Sequence, residues 1–227
     1  NYEHEAEKAA QTALNLLKAK SVEKGRYPVI LDNRIAGVFA HEAFGHLSEA
    51  DHLYENPGLL EMMEKGKVFG GGDLNIVDDG SMPGLAGYTP YDDEGVKARR
   101  NYLIREGKLT GRLHSRETAA KMGEELTGNA RCLNPLYPPL VRMTNTFIDA
   151  GKEKKESLFE KMGDGIYCVD YIGGMTNLEM FTFTAGRAYR VKDGQIKELL
   201  KDVVLSGNVF EDTDIFQEFK SSKFLVK

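Results

Sequence analysis

The sequence predicts an α+β fold: a strand-rich, mostly antiparallel sheet with one histidine-bearing helix packed against it. Three observations carry this reading. The 227 residues include 24 glycines, many for this length, which suit tight turns between short strands better than a helical bundle. From Leu74 onward, short segments with β-branched or aromatic content alternate with turn residues. Before that point, residues 3–20 and 36–48 carry the helical patterns. No repeat or low-complexity segment interrupts the chain, and its length suits one domain spanning residues 1–227.

The elements follow in order. Ala6, Ala9, Ala10, Ala13, Leu16 and Leu17 recur at helical spacing, with lysines and glutamates on the other face, so 3–20 is expected to form a helix along a packed edge of the domain. Tyr27–Leu31 reads as a strand, and Asp32-Asn33 as the turn before the second helix. Leu53–Lys67 is polar and reads as partly mobile, with a turn at Asn56-Pro57-Gly58; Leu59, Leu60, Met62 and Met63 suit a short amphipathic helix. Gly70-Gly71-Gly72 lacks the Gly-Lys-Ser/Thr ending that cradles phosphate and reads as a hinge or a close backbone approach. Strands are expected at Leu74–Val77, Tyr102–Arg105, Lys108–Leu113, Val141–Ile148, around Tyr167 and Cys168, at Phe181–Tyr189 and at Val203–Leu205. Hairpin turns are expected at Glu106-Gly107 and Asp193-Gly194. Helices are expected at 115–122 and 153–163.

The chemistry concentrates in His41-Glu42-Ala43-Phe44-Gly45-His46. Imidazole is the commonest ligand of a catalytic divalent metal, and a free carboxylate beside it can act as a general base. In the zinc-protease motif His-Glu-x-x-His the histidines are four apart on one helical face; here they are five apart. At about 100° per residue, a regular α-helix offsets such a pair by roughly 140°. A single π-type turn would bring the rings back to one side, and Gly45 tolerates the distortion. The 36–48 helix is therefore expected to contain a π-turn at the motif.

The surroundings resemble the TldD/PmbA family of metallopeptidases, historically called modulators of DNA gyrase. Pro28–Leu31, Ala36–His46 and Leu47–Asp51 look like its signature. Val77–Gly80, Asp92–Gly95, Thr127–Arg131, Arg142–Thr146, Gly165–Tyr167, Gly173-Gly174, Phe181–Phe183 and Ala188-Tyr189 follow in the family's order. The resemblance implies a zinc-dependent peptidase acting on unstructured peptides, with His41 and His46 as metal ligands and Glu42 as the general base for the metal-bound water. It also implies a homo- or hetero-oligomer with a family paralogue, in which this chain is the TldD-like, catalytic partner. The family's third protein ligand is a cysteine in a Gly-rich segment near the C-terminus, which neither Cys132 nor Cys168 matches. Family members also carry an N-terminal domain. The chain is accordingly expected to be a C-terminal domain fragment without that domain or the cysteine segment, inactive or weakened as it stands.

Among local groups that could complete the site, Glu49 is the first choice, as an orienting partner for an imidazole, ahead of Asp51 and His52. Cys168 is expected to be a buried thiol, and His4 and His114 surface histidines. Asn129, Arg131, Arg142 and Asn145 could hold substrate backbone or could satisfy buried groups of the domain itself. The net charge of −5 and the lack of a basic patch argue against nucleic acid. Apolar runs such as Ile35–Ala40 are too short to span a bilayer, no signal peptide is visible, and two cysteines form no disulfide framework. A cytoplasmic setting without membrane contact is expected. The alternative to a peptidase is a regulatory or scaffold subunit that binds a partner protein.

Overall fold

The computed structural model describes residues 2–177, 180–210 and 222–226. Its helices are α1 (Tyr2–Lys18), α2 (Asn33–Ala40), α3 (Ala50–Tyr54), α4 (Pro57–Met62), α5 (Arg116–Met122) and α6 (Lys155–Met162). The first strands are β1 (Lys20–Ser21), β2 (Gly25–Leu31), β3 (Ile76–Asp79), β4 (Arg100–Arg105), β5 (Lys108–Leu109), β6 (Ala130–Arg131), β7 (Leu140–Val141) and β8 (Thr146–Ile148). The last are β9 (Gly165–Asn177), β10 (Met180–Lys192), β11 (Gln195–Lys201), β12 (Val204–Asn208) and β13 (Ser222–Val226). Among the described strands, β1 with β11 and β2 with β9 pair in parallel and the other pairings are antiparallel, so the fold is α+β with antiparallel pairing dominant, as expected.

Two compact units divide these elements. The first holds the residues up to Ile35, Lys152–Asn208 and β13. Here β10, β12, β13, β2 and β9 pair in turn, and β9 closes the ring by pairing with β10. One edge of β10 serves two partners: Met180–Thr184 faces β12 and Ala188–Lys192 faces β11. Strand alternation buries Phe181 and Phe183, whose rings stack 5.2 Å apart. Phe159 and Met162 of α6 pack on Tyr167 and Val191. Each such side chain, once fully buried, contributes about 1.5–3 kcal/mol.

The first helix forms as its periodicity predicts, but it is no packed edge. None of its residues is buried, and Leu14 and Leu17 are 55% and 77% exposed. Most of the predicted stripe is alanine, whose single methyl group covers little area, so helical spacing alone did not secure burial.

The second unit contains Ala36–Gly151 and residues 209–210. Its four-stranded sheet runs β5-β4-β3-β8, beside the two-stranded ribbon β6-β7. Within Leu53–Lys67, expected to be partly mobile, the short amphipathic helix expected around Leu59–Met63 forms as α4 and is anchored: Asn56 caps it by accepting from the Leu59 amide, and Leu53, Leu59 and Met63 are buried. The strand expected at Lys108–Leu113 stops after Leu109, because the amides of Thr110 and Gly111 both turn to the Leu103 carbonyl. Val141–Ile148 is not one strand but two, since the Arg142 amide goes to Asn129 O and the Thr144 amide to the Asp78 carboxylate.

Glu106 and Gly107 both have positive φ, 51° and 76°, as a two-residue hairpin turn of mirror-image type requires. Gly107 also accounts for Gly70-Gly71-Gly72: its carbonyl accepts from the amides of Phe69 and Gly70, and a Cβ added to it would lie 2.1 Å from Gly70 O. The glycine run is a close backbone approach. Gly107→Ala combines left-handed strain with this collision and is expected to cost about 3 kcal/mol, read as a lowered urea midpoint. An unshifted midpoint would mean the 70–72 backbone yields freely.

The lower part of this unit is held by Glu124, which receives Arg112, Lys65 and His114, the last at 3.1 Å. His114, expected at the surface, is 1% exposed, with Nδ1 on Thr118 Oγ1 and Nε2 on Glu124. Burial opposes ionisation of Glu124, but the bonds from His114 and Lys65 and the charge of Arg112 outweigh it and hold the carboxyl at about 2. A carboxyl whose folded pKa is depressed stabilises above its unfolded value and loses that contribution as pH falls through the folded one. Stability is therefore expected to drop between about pH 4 and pH 2, a drop that Glu124→Gln largely removes while costing about 3 kcal/mol at neutrality. Urea unfolding at a series of pH values measures both. An acid limb unchanged in the variant would locate the titration elsewhere.

Candidate metal centre

The motif is set by the start and end of its helix. Asp32 caps α2, its carboxylate accepting from the amides of Arg34 and Ile35 at 3.1 and 2.9 Å. The helix thus begins three residues earlier than the 36–48 span expected. After Ala40 the ladder widens: His41–Gly45 is a π-turn, and the His46 amide bonds back to the His41 carbonyl. A tight turn at His46–Ser48 ends the helix. Phe44 anchors the bulge edge-on to Phe39 and Phe69, at 6.3 and 5.5 Å between ring centres. Gly45 is needed because Met143 lies against it: a Cβ there would stand 1.9 Å from Met143 Sδ. The turn runs beside β8.

The wide turn brings the two imidazoles together. Their centres are 4.9 Å apart and their planes 82° from parallel, and ligand atoms of His41, Glu42 and His46 all lie within 4.8 Å of one another. The spacing that a regular helix would have splayed becomes a convergent set.

Glu49 lies directly behind it. Its carboxylate is fully buried, with Oε2 3.1 Å from His46 Nδ1, 3.4 Å from His52 Nε2 and 3.6 Å from Arg142 Nη1. The backbone around it is pinned to Leu113, which exchanges bonds with Ser48 and Ala50. With Nδ1 held by Glu49, His46 presents Nε2 outward, as second-sphere carboxylates arrange in metal sites. The hydrogen bond to Glu49 raises the His46 pKa against the effect of burial. His41 is lowered, first by burial and then by the neighbouring His46 ring.

Other sequence candidates fall elsewhere. Asp51 accepts from the Val141 amide at 3.0 Å, tying the helix end to β7. Cys168 is buried in β9, its thiol pushed up to about 12 by burial and by Asp32. His4 is exposed on α1. Asn129 and Asn145 serve the fold: Asn129 Nδ2 donates to Asp78 and to Arg142 O, while Asn145 bridges Asp79 O and the Gly87 amide. Among the groups missed were Asp78, fully buried and accepting from Asn129, Thr144 and Thr146, and Met143 behind Gly45. A carboxylate directly following Ile76-Val77 in the expected strand was the available signal for the first.

The donor set suits a divalent metal. Two imidazoles and a carboxylate are the nitrogen and oxygen ligands typical of zinc, and one imidazole is already oriented by a carboxylate. Buried polar atoms without a partner among the described residues cluster just behind, at Ser48 Oγ, Glu49 Oε1 and Asp51 Oδ1.

Residues 24–221 match the profile of the PmbA/TldA metallopeptidase C-terminal domain. The chain belongs to this PmbA/TldD family of metallopeptidases. A metalloprotease of Synechocystis is 53% identical over 211 residues, covering 93% of this chain and 46% of that protein. A zinc metalloprotease TldD homologue of Saccharolobus solfataricus is 39% identical, covering 86% and 44%. The solved structure of TldE from Thermococcus kodakarensis superposes with a TM-score of 0.73 at 22% identity, covering 97% of this chain and 53% of that one, which speaks for the fold. The chain thus spans about half the length of the relatives it matches.

Proposed function

We propose that this chain supplies the zinc site and the general base of a peptidase that hydrolyses flexible polypeptides. The observation that carries the proposal is the convergence of His41, Glu42 and His46 at the π-turn. The name of the Saccharolobus relative favours zinc over other divalent ions. His41 and His46 would hold the ion through their free ring nitrogens, with Glu49 fixing the His46 ring. Bound zinc supplies Lewis acidity, acidifying water and polarising a peptide carbonyl. Glu42 takes the proton of the attacking water and delivers it to the leaving nitrogen.

An extended substrate fits along β8. Asn145 O accepts from the Asp79 amide and the Asp149 amide donates to Asn75 O, so strand alternation turns the main-chain groups of Thr146 and Ile148 to the outer edge, which no strand covers among the described residues. Main-chain pairing there, beside the π-turn, would bind a chain with little regard to its sequence.

Full-length protein purified without added metal is expected to carry near-stoichiometric zinc by elemental analysis. The His41→Ala/His46→Ala variant should lose it while keeping its circular dichroism. Zinc retained in that variant would place the metal elsewhere and sink the proposal. Metal-free wild-type protein that still bound a partner would favour the scaffold reading instead.

A further inference from the structure

We infer that a pocket beside the candidate centre recognises a carboxylate of the substrate, through the paired guanidinium groups of Arg131 and Arg142. This deepens the proposed peptidase function and rests on it. The pocket, of about 210 Å³, is lined by these two arginines together with Tyr88, Tyr91, Asp92 and Asp93. It adjoins the centre through consecutive residues: Arg142 reaches to 3.6 Å from Glu49, and Met143 lies against Gly45 of the π-turn.

The charges in the pocket are unequal in availability. Asp92 spends both carboxylate oxygens on backbone, Oδ1 on the amides of Glu94 and Val96 and Oδ2 on that of Ala130. Asp93 accepts from the Cys132 amide. These acids build the loop. The exposed side chain of Arg131 by contrast forms no hydrogen bond or ion pair among the described residues, while its backbone is anchored in the ribbon of β6 and β7. Among the described residues, Arg142 is held at one end, Nη1 meeting Val141 O at 2.7 Å and Glu49 at 3.6 Å, which leaves the other edge of its guanidinium unspent. Both arginines line one small cavity together with two tyrosines, and a guanidinium fork matches the planar, two-oxygen geometry of a carboxylate. Phosphate is a poorer fit, because the nearby aspartates repel a second negative charge. The carboxylate could belong to an acidic side chain or to the C-terminus of the peptide.

Peptide affinity distinguishes the sources and does not depend on turnover. The protein would be the full-length Glu42→Gln variant. The probes would be fluorescein-labelled alanine-glycine hexapeptides carrying Glu or Gln at each position in turn, each with a free or amidated C-terminus. We expect one acid form to bind about tenfold more tightly than its amide counterpart, the loss expected of a charge-assisted fork. A Glu-over-Gln preference at one position assigns the pocket to a side chain, and a free-acid preference to the terminus. Arg131→Gln should collapse the ratio, and Arg131→Lys should restore part of it through charge alone. Equal affinities in both arms, a preference that survives Arg131→Gln, or no binding by any peptide would each overturn the inference. Cleavage of the same peptides by wild-type protein reports separately on the peptidase function: hydrolysis without acid preference would remove the pocket and leave the enzyme.

Discussion

Glu42→Gln is expected to keep zinc in place and to lower peptide hydrolysis by about 10²–10⁴-fold, the usual contribution of a positioned general base. Glutamine preserves the volume and the hydrogen-bonding reach of the side chain but cannot accept a proton at neutral pH. Among the described residues of the site, Glu42 is the carboxylate left uncommitted for that work. Glu49 is fully buried and committed to His46, His52 and Arg142, and Asp51 is tied to the Val141 amide. The two measurements separate the roles open to Glu42, whose oxygen lies within 4.8 Å of the histidine nitrogens. Lost hydrolysis with retained zinc identifies a base. Zinc lost along with activity would identify a ligand instead. Hydrolysis left intact would rule out proton transfer by Glu42 altogether.

The π-turn was legible because it rests on local arithmetic. Histidines five apart cannot share a side of an α-helix at about 100° per residue, so a shared site required a wider turn. Glu49 was legible in part for the same reason, three residues beyond His46. What surrounds the motif was not, because it depends on pairs far apart in sequence. The expected strand 141–148 has β-branched and aromatic content, yet the polar groups of 142–145 go sideways to Asp78, Asp79 and Asn129 rather than along a ladder. Nothing within a short window announces that Met143 will fill the space over Gly45. His114 shows the same limit: its environment is made by Thr118 and Glu124, and a histidine between an expected strand and an expected helix reads as exposed until those partners are in place. For α1, periodicity specified the helix but not what, if anything, would cover its alanine face.

Asp78→Ala is expected to be the most damaging single change to the fold of this unit, at about 3–5 kcal/mol, because it strips a buried hub of its acceptor. Asp78 Oδ1 accepts from the Thr144 amide and the Thr146 hydroxyl, and Oδ2 from Asn129 Nδ2 and the Thr144 hydroxyl, all at 2.7–2.8 Å. Asn129 keeps a second acceptor in Arg142 O, so the loss falls mainly on the Thr144 and Thr146 donors, left facing a cavity. Asp78→Asn tests the electrostatic part. Its amide keeps the shape but places a donor where the native oxygen met donors, so it should recover less than half of the loss. Because Asp78 aligns the segment that carries Arg142, Met143 and β8, the damage should reach the π-turn as well as the sheet. Urea midpoints give the first effect and zinc retention at a matched folded fraction gives the second. An alanine variant with a native midpoint would show that Thr144 and Thr146 find other acceptors, and that the carboxylate is dispensable to the fold.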